Sequence, residues 1–289
     1  MNDQAEALRN LVKQQELRID RKETRVVTVT SGKGGVGKSN FSLNFALSLQ
    51  RLGKKVLVFD ADIGMANIDV LMGKTSTYSL YHLLKQEKTI WDIIQTGPEG
   101  LHYIAGGSGF KDLLDLSEDQ LERFASEIEK LHGEYDIILF DTGAGLSKET
   151  VKFITAAQET IVVTTPEPTS ITDAYALIKM VKAMDVPVEF KLIVNRAADE
   201  REGRETAQKI SLVSSRFLNS ELPSLGVVPD DSKVSKAVKK QIPFLIAFPD
   251  SDAAVAVLDI AKHFLDIRQP NQAGGGVKGF LTKWFRLSR

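Results

Sequence analysis

The stretch "RVVTVTSGKGGVGKSNFSLNFALSLQ", Arg25–Gln50, decides the fold. Its first six residues, Arg25–Thr30, are β-branched at every position but the first, with Val26, Val27 and Val29 apolar and only Arg25 charged, as suits a strand covered on both faces. A glycine-rich loop follows, and Phe41–Gln50 then reads as a helix. Gly32, Gly37, Lys38 and Ser39 satisfy G-x-x-x-x-G-K-[ST] in the strand–loop–helix context that this motif requires. Glycines in such a loop let the backbone N–H groups of Gly34, Gly35, Val36 and Gly37 curl around a β-phosphate. The helix amino terminus, from Lys38 through Asn40, adds positive potential. Lys38 is expected to reach the β- and γ-phosphates of a nucleotide, and the Ser39 hydroxyl to ligate Mg²⁺. Lys33 stands on the wrong side of the loop for that γ-phosphate. It is expected to point outward across a dimer interface, acting on a partner's phosphoryl group as an arginine finger does. The alternative is a solvated surface lysine.

Outward from this stretch, short apolar runs alternate with helical patterns. Further strands are expected at Lys55–Asp60, Leu101–Ala105, Tyr135–Asp141, Thr160–Thr164, Glu189–Asn195 and Ser224–Val228. Helices are expected at Ser117–Leu131 and Ser170–Met184, the latter capped by Ser170 or Thr172 after Pro168 ends the loop. This alternation implies an α/β fold with a mostly parallel, doubly wound sheet, whose ligands bind at the carboxyl ends of the strands. No linker interrupts residues 25–267, so they read as one domain. Residues 1–24 form a charge-rich leader, 268–276 ("RQPNQAGGG") a flexible linker, and 277–289 a terminal helix.

Composition removes several function classes. The 289 residues carry 43% hydrophobic and 26% charged residues with a net charge of −1, so no global basic field attracts nucleic acid. Nucleic acid is not an expected partner, although "SKVSKAVKK", Ser232–Lys240, is locally basic. Cysteine is absent, which excludes disulfides, thiolate nucleophiles and iron–sulfur clusters. No apolar run approaches the ~20 residues that cross a bilayer. The leader lacks the pattern of a signal peptide, so a cytosolic protein is expected.

Lys33, Gly34, Gly35, Gly37, Lys38 and Ser39 together resemble the deviant Walker A loop of the MinD/ParA/nitrogenase-iron-protein group, P-loop ATPases that switch as ATP-dependent dimers. Further segments match in order. "VFDADIGMANIDVLMG" (Val58–Gly73) resembles the group's switch I. The resemblance assigns Asp62 to orienting the attacking water and Asp60 to the neighbourhood of Mg²⁺. A carboxylate just beyond a buried strand can accept a proton or a water hydrogen bond there. "IILFDTGAG" (Ile137–Gly145) resembles Walker B and switch II, with Asp141 holding a Mg²⁺-bound water. "LIVNR" (Leu192–Arg196) places Asn195 at the adenine edge. Arg196 adjoins it, and "GVVPDD" (Gly226–Asp231), with Pro229 and Asp230, supplies the other side of the base pocket. The resemblance spans residues 25 to about 265.

The two appendages narrow the group. Nitrogenase iron proteins and iron–sulfur carriers need cysteines, and arsenite-transport ATPases commonly have tandem halves. In the leader, Leu8, Leu11, Val12 and Ile19 can share a helical stripe capped by Asn2 or Asp3, too short to bury itself without a partner. Asp3, Gln4, Ala5, Leu8 and Arg9 match D-Q-A-x-x-L-R of the FlhG family (also FleN or YlxH), where this motif activates FlhF, a GTPase of the signal-recognition-particle type. At the other end Val277, Phe280, Leu281 and Trp284 follow i, i+3, i+4, i+7, joined by Phe285. Lys278, Lys283 and Arg286 supply charge. The pattern reads as an interfacial helix for anionic lipid, as MinD and FlhG carry. The resemblance therefore implies a homodimerising ATPase using ATP and Mg²⁺, reversibly at the cytoplasmic face of the membrane. It would regulate flagellar number or placement through an FlhF-type GTPase and basal-body or C-ring proteins. The alternatives are a MinD-type division-site ATPase, which lacks the leader, a ParA-type DNA-segregation ATPase, and a metabolic ATP-dependent synthetase.

Overall fold

The computed structural model describes residues 23–62, 67–106, 118–266 and 276–286. The leader with Asp3, Gln4, Ala5, Leu8 and Arg9, and nearly all of the linker, lie outside the described residues. Eight strands form one sheet, ordered β3-β4-β2-β5-β1-β6-β7-β8. They are β1 (Arg25–Ser31), β2 (Val56–Ala61), β3 (Gln95–Thr96), β4 (His102–Ile104), β5 (Ile137–Ala144), β6 (Glu159–Thr164), β7 (Glu189–Ala197) and β8 (Ser224–Pro229). Every pairing is parallel except β3 with β4. The seven expected strands are all present. β3 escapes the sequence because two residues, one exposed, carry no periodicity.

β1 runs through the middle of the sheet and is buried over its whole length. Helix α1 (Lys38–Arg51) leaves the loop that follows it. This helix buries Phe41, Leu43, Phe45, Leu47 and Leu49, a wider face than a surface helix shows. The reason is its position between the sheet and α11 (Asp252–Asp266), whose Phe264 ring meets Phe45 edge-on at 5.2 Å. That layer also holds α2 (Ile68–Leu71), α9 (Ser232–Lys240) and α10 (Phe244–Ala247). The opposite layer contains α3 (Leu80–Leu84), α4 (Ile90–Ile93), α5 (Glu118–Glu129), α6 (Lys148–Ala156), α7 (Pro168–Lys182) and α8 (Glu200–Leu218).

Two expectations need correction. Helix α7 begins at Pro168 with Glu167 as its N-cap residue, not after Ser170 or Thr172. A proline at the first helical position is already set for helical φ. Ser170 is therefore free to bond Thr164 and the Thr165 N–H, and Thr172 bonds back to the Pro168 carbonyl.

The second correction concerns the carboxyl-terminal helix, α12 (Gly276–Arg286). The sequence reads its apolar stripe as the lipid-facing side of an interfacial helix. Here Val277, Phe280, Leu281 and Trp284 are each at most 5% exposed, seated in a groove between α5 and α6. Phe280 stacks on Phe140 at 4.7 Å, and Trp284 lies 4.2 Å from Phe153. Lys278 stays exposed, Lys283 and Phe285 are half-buried, and the Arg286 side chain lies outside the described residues. Partial burial lowers the Lys283 pKa. The groove exists because Phe59 and Phe140, on adjacent strands, stack at 4.9 Å and present a flat aromatic floor.

Candidate nucleotide site

The phosphate loop joins β1 to α1 at the carboxyl edge of the sheet. Two of its glycines are demanded by geometry. A Cβ on Gly32 would stand 2.3 Å from the backbone carbon of Asp173 in α7, and Gly37, at φ 87°, would meet Asn195 Nδ2 at 2.4 Å. Any larger residue would push the loop off the elements that shape it.

β2 and β5 are neighbours, and Asp60 pairs in register with Asp141. Both expected metal-site carboxylates thus reach the same level, beside the loop. Asp141 is fully buried. Its Oδ1 accepts from Lys38 Nζ at 3.0 Å and from the Ser42 hydroxyl at 2.6 Å. Lys38 Nζ also lies 3.3 Å from the Ser39 hydroxyl. Asp60 accepts backbone N–H groups of Asp62, Asn67 and Ile68, which ties the end of β2 and the start of α2 to it. Burial, and next the neighbouring Asp141 carboxylate, push Asp60 up to about 7. Asp62 is half-buried, and a Cβ placed on Gly143 would come within 3.6 Å of its Oδ1, so it faces the carboxyl end of β5.

The two ends of the sheet are built differently. At the amino end Glu159 is fully engaged by Arg25 and Lys191, each below 5% exposed. Burial alone would raise Glu159, but these two cations outweigh it and hold it below the usual carboxylate range. At the carboxyl end Asp141 Oδ2 is buried with no hydrogen-bond partner. A buried charged oxygen left unpaired is costly, and it marks a place where a ligand completes the structure. Among the described residues no group of three or more His, Asp or Glu side chains could hold a metal alone. That suits Mg²⁺, which rests on one or two protein groups plus substrate phosphates. Asp141, Ser39 and Asp60 fit such a role.

Beside the loop opens a cavity of about 690 Å³. Gly35, Gly37, Asn40, Asn195, Arg196, Pro229 and Asp230 all line it. Gly34 is exposed at the loop's turn and Val36 is buried beneath it. Asn195 Nδ2 donates to the Val36 carbonyl at 2.8 Å, which fixes the amide and leaves Oδ1 as an acceptor at the pocket edge. Arg196 takes a left-handed φ of 57° and lies 3.7 Å from Asp230. Sequence reasoning missed the apolar wall formed by Val234, Val238 and Phe244. It also missed Ser42, although Ser42 stands one helical turn after Lys38 and so shares its face.

Lys33 is not drawn into this cluster. Its Nζ lies 2.6 Å from Glu167 Oε2 and 2.9 Å from the Thr169 hydroxyl, at the start of α7. The two lysines of the loop therefore serve different directions.

Comparison with known proteins agrees with this geometry. The model of a family described as an AAA domain matches residues 24–193. The antiactivator FleN of Pseudomonas aeruginosa is 40% identical over 90% of this chain and 92% of its own length. The flagellum site-determining protein YlxH of Helicobacter pylori is 41% identical, covering 83% of each chain. Among solved structures, the septum site-determining protein MinD of Pyrococcus horikoshii, complexed with Mg-ADP, is similar with a TM-score of 0.69. That structure is 27% identical, over 84% of this chain and 96% of its own.

Proposed function

The chain belongs to the AAA-domain family of MinD- and ParA-type ATPases, within its FleN/YlxH (FlhG) group, and from that premise we propose that it is an ATP-gated, membrane-associating regulator of flagellar number or placement. It is an ATPase that uses ATP and Mg²⁺. The flagellar reading is carried by the 40% and 41% identity to two flagellar regulators across more than four-fifths of the chain. MinD relatives fall lower, at 33% for the Synechocystis protein.

In the proposed cycle, the loop N–H groups and Lys38 hold the nucleotide phosphates while Asn195 Oδ1 accepts from the adenine amino group. Mg²⁺, when bound, neutralises charge that develops on the phosphates. Lys38 would then have phosphate to bond in place of Asp141, and Asp141 would be free to help hold Mg²⁺ together with Ser39 and Asp60. Asp62 orients the attacking water. Lys33 completes the site of a second copy, so that nucleotide binding, dimerisation and hydrolysis are one sequence of events.

Helix α12 supplies the membrane arm. Ordering its backbone costs about the same in the groove as at a lipid surface, and the apolar burial is similar in both, so these terms largely cancel. What remains is small. Groove aromatic pairs contribute about 0.5–1.5 kcal/mol each, and each basic residue contributes ~1 kcal/mol at an anionic surface. Two copies joined by ATP gain avidity of ~10²–10⁴. Dimerisation is therefore sufficient to move α12 from protein to lipid.

The leader is the proposed contact to an FlhF-type GTPase, with Gln4 and Arg9 as polar contacts and Leu8 as apolar anchor. Basal-body or C-ring proteins would be further partners. The test is a peptide of residues 1–24 added to that GTPase, beside the chain lacking them. The expected result is faster GTP turnover with the peptide and unchanged ATP hydrolysis by the truncated chain. No effect on GTP turnover would remove the FlhF assignment.

A further inference from the structure

The surroundings of Lys33 carry an inference that rests on its action across a dimer and names what makes that action possible. Lys33 is the only side chain of the loop whose ammonium is held by α7. An ammonium has three N–H donors. Here one goes to Glu167 Oε2 at 2.6 Å and one to the Thr169 hydroxyl at 2.9 Å, and the described residues offer no partner for the third. Lys33 is 29% exposed and Glu167 56%, so the pair sits at the surface beside the mouth of the site.

Three features show that this is more than an incidental surface pair. Glu167 is the N-cap residue of α7, yet its carboxylate makes no side-chain cap bond to that helix among the described residues. It is committed to Lys33 instead, and the Lys33 contacts hold it below the usual carboxylate range. Thr169, one residue into the helix, fixes the second N–H from a backbone that cannot swing. The loop itself is seated on α7, because Gly32 packs against the peptide of Asp173 with no room for a Cβ. Loop and helix thus form one rigid support on which a four-carbon side chain is tied at its tip.

A free lysine at a surface loses much rotamer freedom when it must meet a distant phosphate in one geometry. Tying it beforehand removes most of that cost from the transition state. We propose that Glu167, assisted by Thr169, is the positioning residue for Lys33, presenting its remaining N–H to the nucleotide phosphate of a second copy. Glu167 touches no nucleotide itself; it acts through Lys33. A plain surface ion pair predicts no change on removal, since such pairs contribute little. A restraint that kept Lys33 away from the partner predicts faster turnover once it is cut. Positioning predicts a loss.

The test uses the full chain with Glu167→Gln and, separately, Thr169→Val. Glu167→Gln is expected to lower ATP turnover about tenfold and Thr169→Val about threefold, with ATP affinity unchanged. In a non-hydrolysable ATP analogue, sedimentation velocity is expected to show Glu167→Gln dimerising several-fold more weakly than the parent chain. Mixing Glu167→Gln with Asp62→Ala is expected to restore turnover, because the intact Asp62 site then receives a supported Lys33 from the other subunit. Wild-type or faster turnover, unchanged dimerisation, or no rescue on mixing would overturn the proposal. A parallel mixture of Lys33→Ala with Asp62→Ala separates the two claims. Rescue there without a defect in Glu167→Gln would overturn the positioning role alone; no rescue in either mixture would overturn action across the dimer as well.

Discussion

Phe140 and Asp141 are adjacent in β5 and belong to two different kinds of site. Asp141 stands among charged and hydroxyl groups at the strand end, held by Lys38 and Ser42. Phe140 lies in a wholly apolar stack between Phe59 and Phe280. Asp60 and Phe59 repeat the arrangement on β2, so the polar nucleotide site and the α12 groove share the same two strands. The first site is directional: its bonds specify which atoms can bind and leave Asp141 Oδ2 open. The second is non-directional, since apolar burial accepts a protein groove or a lipid layer alike. A polar site states its ligand, whereas an apolar face states only that something must cover it.

The largest effect that could break this comparison is at Lys33. If polar groups here are assigned by direction, Lys33→Ala should lower ATP turnover by about 10³-fold, the lower range for a charged finger, and leave ATP binding within about twofold. Turnover should return in part on mixing with Asp62→Ala protein. Single-turnover hydrolysis and equilibrium nucleotide titration measure the two terms separately.

Next in size is the pH dependence of the metal-free chain, which sharpens how far the polar site depends on its ligand. An unfolded Asp titrates near 3.9, while Asp60 is pushed up to about 7. The folded state therefore takes up this proton first, and stability falls as pH rises from about 4 to 7. The full difference is of order 2–4 kcal/mol. Urea midpoints in a chelator should drop between pH 5 and pH 7.5, and Asp60→Asn should flatten the drop. Added Mg²⁺ with nucleotide should oppose it. A midpoint that rises over this range in the parent chain but not in Asp60→Asn would contradict the sign.

The smallest effect separates the two sides of the apolar contact. Phe280→Glu, on α12, should abolish vesicle sedimentation in either nucleotide. Phe153→Ala, on the groove, should raise sedimentation of the ADP form about tenfold, because the helix loses its seat but keeps its lipid face. Variants on both sides that weaken membrane binding equally would make the groove irrelevant to the exchange.

These differences explain what the sequence made legible. The loop was readable because phosphate chemistry restricts residue type and spacing together, whereas the carboxylates and the base-pocket residues were reached through the family resemblance. Ser42 and Glu167 were not readable, since a serine within a helix or a glutamate before a proline has many ordinary uses. The seven main strands showed as apolar runs, but β3 is too short to have a pattern. The stripe of α12 was found correctly as a stripe. The groove that holds it here was not legible, because Val277, Phe280, Leu281 and Trp284 meet Phe153 and Phe140 with the same chemistry that would meet acyl chains. Only the folded chain brings those two rings together.

The exchange between groove and lipid can be observed directly at Trp284. The chain has two tryptophans, so Trp91→Phe leaves Trp284 as the single reporter. Anionic vesicles with brominated acyl chains quench an indole that enters the hydrocarbon. Strong quenching of Trp284 is expected with ATP and Mg²⁺, and none with ADP, where the ring stays against Phe153. Equal quenching in both nucleotides, or vesicle binding in ATP with Trp284 unquenched, would contradict the exchange.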